Sequence, residues 1–486
     1  MKKCVLHILP VLCALYFVSC SDDTAVTPTT IPVSNRPDPV LIPVSNTLGV
    51  LIKHPKAYKG YTLFTIHKTT YLIDNCGRVI KQWVSAYDRG GAFCLMEDGS
   101  LLRTGKIDNP DMSYGGIGGI IEKFNWDGDL TWSFRYSSAT YSQHHGLVPM
   151  PNGNILFLSA HKRSRDKALL AGRNPENLSD EGLYDERIVE IKPSGTQAAT
   201  VVWEWKVWDH LSQDHDTGKD NFGIIAEHPG LLDINFLGSS TGNSDWLHFN
   251  ALDYNAALDQ IIISSQKLGE IYIIDHSTTT EEAQTGLGGN SGLGGNIIYR
   301  WGNPVAYQHG EAGHRKLFGQ HNAHWIPSHL PDGGKILIFN NGLGRNTDYS
   351  SIDIISPPNE ETYNYVYNQG QPFGPLDAEW TYIDLEDPTK FYSKILSSAQ
   401  RLPNGNTFIC EGTKGTFFEI DKDQNIVWKY VNPITNQGNR LKQGDAAISN
   451  VFQALKYSHD YKGFTGKDLT PGIPLELDFD IGTCEP

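Results

Sequence analysis

Apolar and polar residues alternate in short runs along most of the chain, and Asp-Gly, Asn-Gly and Gly-Gly pairs punctuate the runs. A period of two marks strands with one buried face, and those pairs accept the positive φ that a tight hairpin demands. One strand–turn–strand unit recurs five times. It reads GAFCLMEDGSLLRTG at 91–105, HHGLVPMPNGNILFLSA at 144–160 and HFNALDYNAALDQIIISS at 248–265. It returns as HNAHWIPSHLPDGGKILIFNNG at 321–342 and SSAQRLPNGNTFICEG at 397–412. A second unit, an apolar strand, a polar turn and a strand carrying Trp, is clear at 71–83, 120–132 and 417–430 and less regular at 188–205, 271–301 and 352–382.

Six outer ribbons therefore accompany five inner ones. The segment NVFQALKYS (450–458) matches LHFNALDYN (247–255) in its Phe, Ala, Leu and Tyr positions, and GYTLFTI (60–66) resembles an inner hairpin that has lost its first strand. Pairing these two segments completes a sixth unit. The repeats predict an all-β, six-bladed β-propeller over residues 49–465, closed by pairing of a C-terminal strand with the N-terminal blade, with a tail at 466–486. A ring of blades leaves only short, protected edges, which a long all-β chain needs. Two stacked sandwiches do not explain strand pairs that recur through the whole chain. Residues 209–246 are expected to interrupt the third blade, and 303–320 to precede the FGQHNAHWIP stretch; long insertions of this kind wall pockets at loop ends. The glycines of GLGGNSGLGGN (286–296) lack the strand–helix setting of a nucleotide-binding loop and read as a flexible outer loop.

The leader changes the picture of where the chain works. MKKCVLHILPVLCALYFVSC starts with two lysines, runs through an apolar core and ends at Cys20. It is too short to span a membrane and reads as an export signal over 1–19. The small residue before Cys20 resembles the lipobox of bacterial lipoproteins, so Cys20 is expected to carry lipid. Ser21-Asp22-Asp23 resembles an acidic tag for surface export, and residues 20–48, rich in Thr, Pro, Val and Ser, read as a tether. The expected place is the outer membrane, facing the periplasm or the cell surface. The chain holds 40 Lys and Arg against 55 Asp and Glu, a net charge of -15, which argues against a nucleic-acid partner. Four cysteines follow the tether, Cys76, Cys94, Cys410 and Cys484, with no CxxC pair. A zinc site is therefore not expected, and buried free thiols are. No metal or cofactor is called for.

His144 and His145 open the second copy of the inner hairpin, His248 the third and His321 the fourth. The first strands of blades line the central channel, so these histidines are expected to converge at one end of it, a polar cluster in a concave site. His324 lies an odd number of residues from His321 and should face the other way. FNNGLGR (339–345) puts Arg345 in a Gly-rich turn, and EGTKG (411–415) puts Lys414 in the corresponding turn of the next copy. Arginine's planar fork suits an oxyanion. Trp246 and Tyr307, in the insertions, are candidates to stack on an aromatic ring.

DWLHFNALDYN (245–255), WGNP (301–304), LFGQHNAHWIP (317–327), FNNGLGR (339–345) and AQRLPNGNTFICEG (399–412) with FFEI (417–420) together resemble the bacterial arylsulfate sulfotransferases over residues 60 to 460. The resemblance implies a six-bladed propeller that moves a sulfuryl group from an aryl sulfate ester to a phenol without a nucleotide. It implies active-site roles for His248, His321 and Arg345; beside them, His144, His145, Lys414, Asn250 and Trp246 are read as candidates for substrate binding. One departure is plain. The family's best-described branch has a nucleophilic histidine just beyond the last of these inner hairpins, and here that stretch reads Glu411-Gly412-Thr413-Lys414-Gly415. Two further readings stand beside the enzyme: a non-catalytic propeller that captures a sulfated or polyphenolic ligand, and a metal-dependent hydrolase or lyase with histidine ligands drawn from separate blades.

Overall fold

Hairpin turns set the local structure. At Asn152-Gly153, glycine adopts φ 84° while an added Cβ would meet nothing within 4 Å. The backbone dihedral, not space, is what selects glycine there. The computed structural model describes residues 46–237, 244–359, 362–447, 449–479 and 484. The leader, Cys20 and most of the tether lie outside the described residues.

The strands assemble into the six-bladed propeller that the repeats predict, nearly all β, with Arg165–Leu170 the one α-helix among the described residues. From the channel outward, blade one holds Ala454–Ser458, Gly60–Ile66, Thr69–Ile73 and Val79–Val84. Blade two holds Arg89–Leu95, Leu101–Lys106, Gly119–Phe124 and Leu130–Arg135. Blade three holds Tyr141–Pro149, Ile155–Arg163, Leu183–Ser194 and Ala198–Lys206. Blade four holds Phe249–Asn255, Gln260–Ser265, Glu270–Asp275 and Ile297–Trp301. Blade five holds His321–Trp325, Ile336–Asn340, Ser351–Ile355 and Trp380–Tyr382. Blade six holds Ser398–Arg401, Thr407–Glu411, Thr416–Ile420 and Ile426–Val431. The long insertion ending at 246 does not interrupt the third blade; it joins that blade's last strand to the first strand of the fourth.

The seam between blades one and six is stitched from both ends of the chain. Ala454–Ser458 pairs with Gly60–Ile66 in the register Gly60 to Ser458 and Phe64 to Ala454. Gly49–Lys53 adds a fifth strand to the outer edge of blade six, with Gly49 opposite Val431. Cys76 and Cys484 form a disulfide with Cα atoms 5.9 Å apart. The expectation of free thiols thus fails for this pair, which the closed ring brings together from 408 residues apart. Cys94 and Cys410 are free thiols, and burial pushes the Cys94 thiol up to about 12.

Outer-strand tryptophans latch five of the six blades to the next. Indole N–H groups donate to backbone carbonyls of the following blade: Trp83 to Asn125, Trp132 to Ala198, Trp205 to Gly295, Trp301 to Pro375 and, across the seam, Trp428 to Asn75. Each ring removes a large apolar surface from water while its one donor is satisfied. Also at the seam, Lys456 Nζ lies 3.0 Å from Glu419 Oε2, with both side chains 0% exposed. The ammonium sits 4.7 Å over the Trp428 ring.

Between blades three and four, His276 bridges Asp259 (2.6 Å) and Glu190 (3.0 Å) and meets the Trp203 ring. Burial alone lowers its pKa, but hydrogen bonds and charge from the two carboxylates outweigh it and raise the value from 6.5 to about 9. A raised folded-state value means that the stabilisation is complete below pH 6.5 and is lost as pH rises through about 9. A shift of this size corresponds to ~3 kcal/mol. The wild-type urea midpoint is expected to fall between pH 6.5 and 9.5, and His276→Gln to be weaker at the lower pH with a flatter dependence. A His276→Gln midpoint equal to wild type at pH 6.5 refutes this bridge's contribution.

No helix among the described residues is long and apolar enough to cross a membrane.

Candidate active site

The inner strands begin irregularly, and that irregularity builds the site. Register shifts interrupt the pairing at the start of the inner strands of blades two, four and five and, in blade three, just after His144. His145 (φ 37°), His248 (φ 51°) and Asn322 (φ 53°) occupy the left-handed region there. Bulges re-aim side chains, and strained non-glycine residues gather at functional sites. The result is a cavity of about 600 Å³ at one mouth of the channel, within the usual range for small-molecule sites. His145, His248 and His321 line it with Arg89, Lys106, Tyr114 and Phe452. A larger open groove of about 770 Å³ lies outside, between blades one and two, and has no histidine in its lining.

Each of the three imidazoles has its Nδ1 proton fixed by a partner. His248 Nδ1 donates to Asp245 Oδ2 at 2.6 Å. His321 Nδ1 lies 2.8 Å from Asn341 Oδ1 and 3.1 Å from the Gly319 carbonyl, two acceptors. The Asn341 amide is itself fixed, because its nitrogen donates to the Ser393 and Leu396 carbonyls. His144 Nε2 donates to Glu186 Oε2 at 2.7 Å, which leaves its Nδ1 to accept from His145 Nδ1 at 2.9 Å. These partners assign the tautomers: His145, His248 and His321 all keep a lone pair on Nε2. The His145 and His248 rings meet edge to face with centroids 4.8 Å apart.

The electrostatics keep two of these rings uncharged. Burial, and then the nearby His248, His144 and His321, hold His145 well below the usual imidazole value. Burial pushes His321 down to about 4, opposed by its bond to Asn341. Burial raises Asp245, but its hydrogen bond to His248 and the charges around it outweigh that and leave the carboxyl below its ordinary value. Gly115 and Gly116 lie directly against the rings: an added Cβ would fall 2.5 Å from His248 Cε1 and 2.0 Å from His145 Cε1. No larger residue fits between the Tyr114 loop and the two imidazoles.

The other candidates lie elsewhere. Arg345 does not line this cavity; its guanidinium donates to the Tyr349 carbonyl and Ser351 Oγ and stacks on Tyr349, and burial lowers its pKa. Lys414 reaches back to Glu411 (2.5 Å) and the Lys390 carbonyl. Trp246 is not placed to stack on a ligand: it is buried in the core, with its indole donating to the Tyr184 carbonyl. Tyr307 is buried as well, under Arg300. Asn250 donates to the Gln320 carbonyl and lines a second cavity, of about 330 Å³, with His324 and Asp253. His324 therefore faces the channel's other half rather than supporting the strand from behind. The positive φ at Asn322 breaks the alternation between His321 and His324. His321 and Phe452 line both cavities.

Residues 27–460 match the family described as arylsulfotransferase (ASST). The chain belongs to the arylsulfotransferase family. No curated protein matches it significantly. Among solved structures, it resembles a Bacteroides caccae protein of unknown function at 10% identity, covering 82% of this chain and 98% of that one, with a TM-score of 0.44. It also resembles a putative 6-phosphogluconolactonase from Bacteroides fragilis, at 9% identity, 83% and 99% coverage and a TM-score of 0.39. Likenesses this distant say nothing about the substrate.

Within this arylsulfotransferase-family fold, sequence reasoning passed over Arg89, Lys106, Asp245 and Glu186. Arg89 begins the blade-two inner strand, the same position that His248 and His321 approach in their blades; extending the first repeat two residues upstream finds it. Asp245 lies three residues before His248, a visible spacing. Glu186 comes from the third strand of blade three, and no spacing in the sequence connects it to His144. Among the described residues, no group of three or more His, Cys, Asp or Glu side chains is arranged to hold a metal ion.

Proposed function

We propose that this protein is an exported sulfotransferase that moves a sulfuryl group from an aryl sulfate ester to a phenolic acceptor without a nucleotide donor. One observation carries the reading. Uncharged imidazoles with free Nε2 lone pairs converge on a cavity that also holds Arg89 and Lys106. Sulfuryl transfer, like phosphoryl transfer, passes through a loose transition state with charge spread over equatorial oxygens, so catalysis needs cationic donors and a base. Arg89 spends one guanidinium nitrogen on the Asn450 carbonyl. Its other donors, with the exposed Lys106, are suited to the sulfate oxygens. His248, oriented by Asp245, and His321, oriented by Asn341, face the reacting group as base, acid or nucleophile. Arg345 acts from behind: it braces the loop to Ser351, whose neighbour Ser350 bonds the Asn341 carbonyl. Arg89 and Lys106 also offset locally the chain's net charge of -15, which otherwise repels an anionic ester.

The same reading places a lipid on Cys20 and the enzyme at the outer membrane, facing the periplasm or the cell surface. Loss of acyl labelling in Cys20→Ala is the expected signature.

Incubation with 4-nitrophenyl sulfate and a phenol is expected to release nitrophenol only when the acceptor is present and to yield the sulfated acceptor, detected by mass. Release no greater than that of His321→Ala, over a panel of aryl sulfates, removes the enzyme reading.

A further inference from the structure

We propose that Glu186, His144 and His145 form a proton relay, in which His145 takes the accepting phenol's proton at Nε2 while its Nδ1 proton passes to His144 beside the Glu186 carboxylate. The inference rests on the sulfuryl-transfer reading and assigns where the acceptor's proton goes.

The chain of contacts is continuous and buried. Glu186 Oε2 lies 2.7 Å from His144 Nε2, and His144 Nδ1 lies 2.9 Å from His145 Nδ1. The three residues are 1–3% exposed. The other Glu186 oxygen accepts from the Phe249 backbone N–H at 3.1 Å, so the carboxylate cannot swing away. Tyr114 closes over His144 edge to face, at 5.3 Å between centroids. Only the last member, His145, reaches the cavity, where the Gly116 carbonyl accepts from its backbone N–H at 3.1 Å.

His145 alone is a poor resting place for a proton. It is buried and faces His144, His248 and His321, and the same cavity holds Arg89, Lys106, His67, Asp88 and Tyr114. A charge left on its ring has no adjacent carboxylate, since Asp245 is bonded to His248. His144 has one. Passing a proton from Nδ1 to Nδ1 moves the positive charge off the crowded ring and onto a buried His144–Glu186 ion pair, where a low dielectric strengthens the attraction.

The step balances. The phenolic O–H bond breaks and its proton goes to His145 Nε2, as Nδ1–H of His145 passes to His144 Nδ1. The phenolic oxygen bonds to sulfur, and the bond from sulfur to the departing aryl oxygen breaks with its electron pair on that oxygen. The departing phenolate takes a proton from a water held at His248 Nε2, and the hydroxide left behind takes the relay's proton through the open cavity, so the donors and acceptors return to their starting state. His145 touches the substrate; His144 and Glu186 are positioning residues.

Steady-state kinetics with 4-nitrophenyl sulfate and phenol test this in the full-length protein. Glu186→Gln keeps an oxygen for Phe249 N–H but no negative charge. It is expected to lower kcat by ~10²-fold, with KM little changed and an altered pH profile. His144→Asn should cause a similar loss, and the double variant no more than either alone, because the residues act as one unit. A Glu186→Gln enzyme with wild-type kcat and pH profile, or fully additive losses, overturns the relay. Neutron diffraction of the wild type supplies a readout besides activity. Deuterons on His144 Nε2 and His145 Nδ1, with none on His145 Nε2 at neutral pH, support it; a deuteron on His145 Nε2 overturns it. An inactive wild type instead overturns the sulfotransferase reading, so the two failures are distinct.

Discussion

His248→Asn is expected to lower kcat for sulfuryl transfer by ~10²–10⁴-fold, the range that a general acid–base group supplies. Asparagine is the appropriate replacement because the backbone at this position has φ 51°. Asn tolerates the left-handed region better than most residues, so lost activity is not confounded by a strained turn. The ring contributes a lone pair facing the cavity and a proton held by Asp245 at 2.6 Å; both vanish with the imidazole. KM for the sulfate ester should change little if, as proposed, Arg89 and Lys106 hold the sulfate oxygens. Asp245→Asn should cost less, since the imidazole remains and only its orientation and charge partner are lost. Initial rates at saturating donor, alongside the thermal midpoint of each variant, decide the matter. An unchanged kcat in His248→Asn removes this residue from the chemistry.

Glu419→Ala is expected to destabilise the fold by ~3–5 kcal/mol, the cost of leaving a buried charge without its partner. Glu419 is fully buried and accepts from Lys456 Nζ (3.0 Å), Asn406 Nδ2 (2.6 Å) and the Tyr58 backbone N–H (2.7 Å). Without it, the ammonium is caught between the Phe408 and Trp428 rings with no counter-charge. Burial already lowers the Lys456 pKa, and Glu419 is what opposes that. Replacing both residues, Lys456→Met with Glu419→Gln, should recover much of the loss, because an apolar side chain of similar length pays no desolvation cost. Urea unfolding followed by tryptophan fluorescence reads the difference. Equal midpoints for wild type and Glu419→Ala show that this pair does not hold the seam.

The ring was legible because its unit repeats. Turn pairs and period-two runs fix each hairpin by local chemistry, and five copies leave little freedom in how the blades follow one another. Gly49–Lys53 was not legible: five residues with no copy of their own become a strand only because blade six offers an open edge. The disulfide depended on the same closure, since nothing local relates Cys76 to Cys484. In the site, the repeat register showed which histidines open equivalent strands. It did not show their carboxylate partners, because Asp245 sits in an insertion and Glu186 on another strand. Side-chain parity also failed at Asn322, where one left-handed residue turned His324 toward the channel.

The seam has a consequence for the order of assembly. Blade one lacks its innermost strand until residues 454–458, made after the strands of the other five blades, come into reach. Until then Gly60–Ile66 presents a bare edge of unpaired amides and carbonyls, ready to pair with any extended neighbour. A nascent chain of this kind needs shielding while all the other blades are made, and only the arrival of residues 454–458 releases it from that need.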